Sequence, residues 1–131
     1  MIAFTQNEVE FLKTNEAARF ATSHEDIPHV KPVSFIFDTH IVIATDYETR
    51  SFQNVKLNQK VAIVIDSYKS GNHKAICIQG KASIIENGHE FKKLYDLFYE
   101  KFEWVRRDPW KEGEAPFLKI IPYGKSSWGL K

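Results

Sequence analysis

The residues best suited to chemistry lie in one short segment, Thr45-Asp46-Tyr47-Glu48-Thr49-Arg50-Ser51. The apolar run Ile41 to Thr45 precedes it, and Phe52 and Val55 follow at helical spacing, so it runs from a strand end into a helix N-terminus. Unpaired backbone N–H groups and the helix dipole favour an anion at such a point. Thr49 is the natural N-cap, and Thr49, Arg50 and Ser51 add two hydroxyls and a guanidinium in the same first turn. The planar fork of arginine donates two parallel charge-assisted hydrogen bonds to a phosphate, which makes phosphate the anion that fits. Lys31 approaches from the preceding hairpin, and Lys56 stands near the end of the helix. The plain alternative is an ordinary cap with a solvated arginine.

A second segment asks for explanation. Pro32 interrupts the extended run PHVKPVSFIF, and proline lacks the N–H that a central strand needs. Either the strand lies at an edge, or its backbone is interrupted where a ligand lies. Lys31 and Ser34 supply a cation and a hydroxyl, and Val33 and Phe35 supply apolar surface, a combination suited to a polar head on a flat ring.

No side chain stands out as a catalyst. Asp66 and Tyr68 read as turn residues after a strand. The single cysteine, Cys77, lies in the alternation of KAICIQG and reads as a buried small hydrophobe. The histidines at 24, 29, 40, 73 and 89 have no metal-ligand spacing, so no metal is expected. The stretch VRRDPWK, with Asp108, Glu112 and Glu114 around it, reads as a solvated loop and not as a nucleic-acid contact. Trp104 reads as core packing beside a helical stripe.

The elements that must position these residues are mostly strands. Thr5 and Glu8 form a capping-box pattern before Val9, Phe11 and Leu12, which predicts a short amphipathic helix. Ala18 to Ser23 and His29 to Phe37 form a hairpin around HEDIP, a turn closed by Pro28; Ile41 to Thr45 follows after Asp38-Thr39. Thr49 starts a helix with Phe52, Val55 and the Lys56 stem on one side. VAIVID, from Val61 to Asp66, reads as a short strand covered on both faces, SYKSGNH as a turn, and Ala75 to Ile85 as a long strand with a bulge or bend at Gly80. Asn87 and Glu90 repeat the capping logic before Phe91, Leu94, Tyr95, Phe98 and Phe102 at helical spacing. VRRDPWKEGEAP breaks regularity, and one or two strands around a Tyr123-Gly124 turn close the chain. The fold class is mainly β (α+β), an antiparallel barrel with peripheral helices.

The chain is short, 131 residues, which suits one domain over 1–131. An apolar share of 43 % with 14 % aromatics argues against disorder, and no apolar run is long enough for a membrane helix, so no membrane association is expected. Lys and Arg number 18 against 17 Asp and Glu, a net charge of +1 that provides no global field for nucleic acid. The opening MIAFTQNEVEF lacks a secretory pattern, and with one cysteine the expected location is cytoplasmic.

PHVKPVSFIFD followed by IVIATDYETRSFQNVKLNQKVAIVID resembles the P-x-V-x-P-V-x-F-x-x-D … T-x-x-x-x-[ST]-[RK] … N … N-x-x-V pattern of the pyridoxamine 5'-phosphate oxidase-related, FMN-binding split-barrel superfamily. The similarity runs over roughly residues 17 to 85 in order, and LKIIPYGKSSWGL looks like the closing strands. The resemblance implies a six-stranded antiparallel split barrel that works as a homodimer, with FMN in clefts between subunits. It implies that Thr45 and Asp46 face the flavin, that Thr49 and Arg50 grip its phosphate, and that Trp128 lies near the cleft or the interface. Where the oxidase proper has a lysine this chain has Ser51, its arginine strand motif is replaced by HVKPVSF, and its C-terminal Arg/His signature is absent. Lys31 is expected to compensate, and vitamin B6 oxidation is disfavoured. The function so implied is a flavin-dependent oxidoreductase acting on a small-molecule substrate. The alternatives are a non-catalytic flavin- or haem-binding module and a reductase that uses a deazaflavin coenzyme.

Overall fold

The computed structural model describes residues 2–131. The elements are α1 (Gln6–Thr14), β1 (Ala17–His24), β2 (Ile27–Asp38), β3 (His40–Ala44), α2 (Arg50–Leu57), β4 (Lys60–Lys69), β5 (Asn72–Ile85), α3 (Gly88–Lys101), α4 (Glu103–Arg107) and β6 (Phe117–Trp128). The strands close into an antiparallel barrel in the order β1-β2-β3-β6-β5-β4. Among the described residues no helix is long and apolar enough to cross a membrane.

Strand length decides where the barrel splits. β3 has five residues, but its neighbours β2 and β6 have twelve each. β3 therefore pairs with β2 only at Phe35–Asp38 and with β6 only at Phe117–Ile120. From Ile27 to Ser34, β2 has β1 as its one ladder partner. Pro32 sits in this edge half, where a missing N–H leaves no second ladder short of a donor.

Alternation sends Phe20, Phe35, Ile43, Ile63, Ile65, Ile76, Ile78 and Leu118 into the interior, where Phe11 and Leu12 of α1 and Phe52 and Val55 of α2 join them. Outside, α3 and α4 lay Phe91, Leu94, Phe98, Phe102 and Val105 over Ile36, Val42, Ile85 and Phe117. On the β1–β4–β5 side no described element covers the outer face, which carries Arg19, Ala21, Ala62, Val64 and Cys77.

Several elements differ from the sequence reading, each for a local reason. The first turn is only Glu25-Asp26, both at positive φ, and Pro28 lies inside β2 opposite Ser23. Val61, Ile63 and Ile65 of β4 are buried while Ala62, Val64 and Asp66 are half-buried, so VAIVID is covered on one face and not on two. The strand runs on to Lys69, leaving Ser70-Gly71 as the turn, and Tyr68 stacks on His73 across the pair at 3.9 Å. Asn87 makes no side-chain cap, and the Glu90 carboxylate pairs with the Lys119 ammonium at 2.6 Å instead of closing a capping box. The irregular stretch begins with α4, and Trp104 is 40 % exposed instead of core. Lys56 is exposed, and Ser51 and Asn54 take the buried positions of α2 with Phe52 and Val55. Cys77 is half-buried on the outer face, and burial and then the Asp66 carboxylate push its thiol pKa up, away from the thiolate that a nucleophile needs.

β6 is one strand, with no turn at Tyr123-Gly124; the irregularity there is a bulge, because Gln79 faces Gly124 and Gly80 faces Pro122, which leaves Tyr123 of β6 without a partner. A Cβ at Gly80 would stand 2.5 Å from the Ile121 carbonyl oxygen, a backbone atom with no room to retreat. Gly80→Ala is expected to cost about 1–3 kcal/mol. Thermal unfolding should show Tm lower by roughly 4–12 °C, and an unchanged Tm would contradict this packing.

Candidate functional site

Thr45 follows β3 and is nearly buried; its amide donates to the Pro116 carbonyl at 3.4 Å. The chain then turns on itself, as the Thr49 amide donates to the Asp46 carbonyl at 3.2 Å and the Thr49 hydroxyl to the same oxygen at 3.0 Å. As N-cap of α2, Thr49 Oγ1 accepts from the Phe52 amide at 3.1 Å. Thr45 Oγ1 and Ser51 Oγ lie 3.0 and 3.2 Å from the same oxygen. A hydroxyl has one proton and two lone pairs, so Thr49 satisfies three of these four neighbours at a time. Either Thr45 or Ser51 thus keeps a hydroxyl proton to give elsewhere.

The loop is braced from both sides. Tyr47 donates its hydroxyl to Glu86 Oε2 at 3.1 Å and packs edge-on against Phe52, and Gln53 Nε2 donates to the Tyr47 carbonyl at 2.7 Å. Asn54 Nδ2 donates to Thr22 Oγ1 at 3.0 Å in a buried contact, and Asn58 Nδ2 donates to the Ser23 carbonyl at 3.2 Å, which together pin α2 to β1. Gln53 and Glu86 were not singled out from the sequence, because their partners are set by tertiary contact.

On this frame Arg50 is exposed, and its guanidinium has no carboxylate or carbonyl partner among the described residues. The Arg50 and Ser51 amides, the first two of the helix, have no intrahelical acceptor. Ser51 itself is fully buried behind Thr49. Asp46 is exposed beside the turn. Lys56 lies in the last turn of α2, with its ammonium 5.7 Å above the Phe52 ring.

The four residues of the Pro32 segment divide between the two faces of β2. Val33 is part of the interior cluster, and Lys31, opposite Phe20, shares its side and is half-buried. His29 lies on that side too, and its Nδ1 is buried without a hydrogen-bond partner. Pro32, opposite Arg19, and Ser34, opposite Ala17, point outward. Trp128, at the end of β6 opposite Ala75, is on the outer face as well and is 40 % exposed. Thr45, Asp46, Thr49, Arg50 and Ser51 thus form one site, Lys31 lies on a strand that α2 packs against, and Pro32, Ser34 and Trp128 belong to the uncovered outer face.

These groups suit a phosphate monoester with a flat ring attached. The Arg50 amide at the first position of the helix and the unpaired Arg50 guanidinium are donors, and the buried lone His29 nitrogen marks a polar position on the Lys31 side left without a partner.

Comparison with known proteins gives the fold and the family. The chain is 34 % identical over 95 residues to the 5a,11a-dehydrotetracycline/5a,11a-dehydrooxytetracycline reductase of Streptomyces rimosus; the aligned part is 65 % of this chain and 66 % of that protein, just under two thirds of its length. A putative pyridoxamine 5'-phosphate oxidase from Listeria innocua has the same fold, with a TM-score of 0.75 and 18 % identity over 92 % of this chain and 94 % of that one. So does an FAD-binding protein from Mesorhizobium loti, with a TM-score of 0.74 and 17 % identity over 95 % and 94 %. The barrel is the six-stranded split barrel of these neighbours. The pyridoxamine 5'-phosphate oxidase family model matches residues 4–121, nearly the whole barrel with α1 and α2, and the chain belongs to that family.

Proposed function

We propose that this protein binds FMN and works as a flavin-dependent oxidoreductase on a small organic substrate, as a homodimer. The observation that carries this reading is the donor cluster at the start of α2, where Thr49, the unpaired Arg50 guanidinium and the Arg50 amide stand together in a family whose name is that of a phosphate-ester oxidase. When bound, FMN supplies the hydride or electron transfer, which accounts for a chain without an evident acid, base or nucleophile.

The chain's own residues then bind and orient. Thr49 and Arg50 hold the phosphate, with Lys31 as a second cation and Lys56 adding positive potential along the same helix. Ser51 acts through Thr49, fixing the cap from behind. Thr45 and Asp46 edge the ring. Pro32, Ser34 and Trp128 lie on the bare outer face of small side chains, Ala21, Ala62, Val64 and Cys77, a surface suited to a second copy. The Streptomyces relative is a reductase, which supports a redox role.

Purified protein titrated with FMN and with a deazaflavin coenzyme tests this directly. The expected result is two FMN per dimer by sedimentation and absorbance, tighter than the deazaflavin, with the bound flavin bleached anaerobically by a reduced nicotinamide. Tighter deazaflavin binding would reassign the coenzyme, FMN bound but never reduced would make the protein a binding module, and no binding of either would end the reading.

A further inference from the structure

Beside Thr45 and Asp46 a cavity of about 340 Å³ opens between the end of β3 and the segment that begins with α4. Its walls are Trp104, Pro109 and Trp110, and its charged groups are Asp46, Asp108 and Glu114. No lysine, arginine or histidine lines it. The two indoles are near-parallel, 8° apart with centroids 5.8 Å apart, and Tyr95 and Phe117 pack behind Trp110 and hold it in place. Trp104 presents a face to solvent. Trp110 Nε1 is buried and donates to nothing. The Asp46 and Asp108 carboxylates make no hydrogen bond or ion pair among the described residues, and Glu114 spends one oxygen on the Lys111 amide at 2.6 Å.

From these walls we propose that the cleft is the substrate site and that it takes a flat, positively charged organic molecule. Indole faces attract a cation placed over them, and three carboxylates with no counter-cation favour positive charge. Neutral flat rings gain the stacking without the charge, and anions are repelled. The assignment rests on the flavin reading only in calling the ligand a substrate, because the cleft shares Thr45 and Asp46 with the proposed flavin site; the binding itself stands apart from it.

N-methylquinolinium is a suitable probe, with quinoline as its neutral counterpart and naphthalene-2-sulfonate as its anionic one. Titrations at low ionic strength, followed through the indole N–H resonances of the flavin-free protein, should show saturable shifts of Trp104 and Trp110 but not Trp128. N-methylquinolinium should bind roughly tenfold tighter than quinoline, and the sulfonate should not bind. Asp108→Asn with Glu114→Gln should weaken the cation about three- to tenfold and leave quinoline unchanged, while Asp96→Asn on the exposed face of α3 changes neither. Trp104→Leu, at an exposed position that spares the core, should weaken both flat probes. Equal or tighter binding of the sulfonate, no shift with the cation, or indifference of the cation to the double substitution would each overturn the proposal. FMN titration of the same samples reports separately on Thr49 and Arg50, so failure of one reading is distinguishable from failure of the other.

Discussion

Replacing Arg50 by alanine is expected to weaken FMN binding ten- to a hundredfold, and replacing Lys31 as well should bring the loss to roughly two to four orders of magnitude. Each charge-assisted contact to a phosphate contributes about 1.5–3 kcal/mol, and every 1.4 kcal/mol is tenfold in affinity. Arg50 has the stronger claim, because it opens α2 beside two amides with no intrahelical acceptor and has no competing partner among the described residues. Lys31 is half-buried on β2, so an anion brought to it displaces little water and the charge counts for more. Riboflavin, which lacks the phosphate, makes the test specific. Both variants should bind riboflavin as the parent protein does while FMN affinity collapses toward the riboflavin value. Loss of riboflavin binding in step with FMN would mean that the substitutions disturb the ring site, and unchanged FMN affinity would remove the phosphate from α2. A Lys31→Ala protein that binds FMN normally would leave the phosphate to Arg50 and α2.

The legible part of this site is its local part. Thr49 caps α2 through bonds to Asp46 and Phe52, three residues away on either side, and Thr5 and Glu8 close a capping box over the same span. Such contacts are written in residue spacing, so both helix starts could be read from the chain. Contacts across the fold were not. Lys101 donates to the carbonyls of Asn15 and Phe35, 86 and 66 positions away, and burial lowers its pKa; nothing near it in sequence announces this. Tyr123-Gly124 read as a turn, yet β6 continues as one strand and takes up the irregularity as a bulge at Tyr123, between Pro122 opposite Gly80 and Gly124 opposite Gln79. The residues Lys31 to Ser34 were read as one surface, but strand alternation sends them to two, and only the barrel's closure decides which faces inward. α4 escaped notice because five residues hold too little periodicity to show a face.

Glu8→Ala is expected to destabilise the fold by about 3–5 kcal/mol, a large share of the roughly 5–15 kcal/mol that holds a domain of this size together. Glu8 is 3 % exposed, unusual for a carboxylate. Its Oε1 accepts from Lys125 Nζ at 2.7 Å and from the Thr5 amide at 2.8 Å, and its Oε2 accepts from Ser127 Oγ at 2.7 Å. Lys125, also largely buried, has the Ala3 carbonyl as its other acceptor at 2.7 Å. Removing Glu8 therefore strands an ammonium as well as deleting a cap. Burial alone would raise the Glu8 pKa, but the hydrogen bonds from Lys125, Ser127 and Thr5, with the lysine charge, prevail and hold it below the usual carboxylate range. A carboxyl whose pKa is lower folded than unfolded stabilises the fold fully above its unfolded value, about 4.3, and loses that contribution as pH falls through the folded one. Urea unfolding of parent and Glu8→Gln proteins should thus show a stability gap at pH 7 that narrows below about pH 4. A gap that is absent at pH 7, or that widens in acid, would show that the ion pair contributes nothing. Replacing both partners, Glu8→Gln with Lys125→Met, should recover much of the loss, because no charge is then left unpaired. Because the same carboxylate anchors Ser127, next to Trp128, the Glu8→Ala protein held below its own Tm should also bind flavin more weakly if Trp128 edges the cofactor cleft.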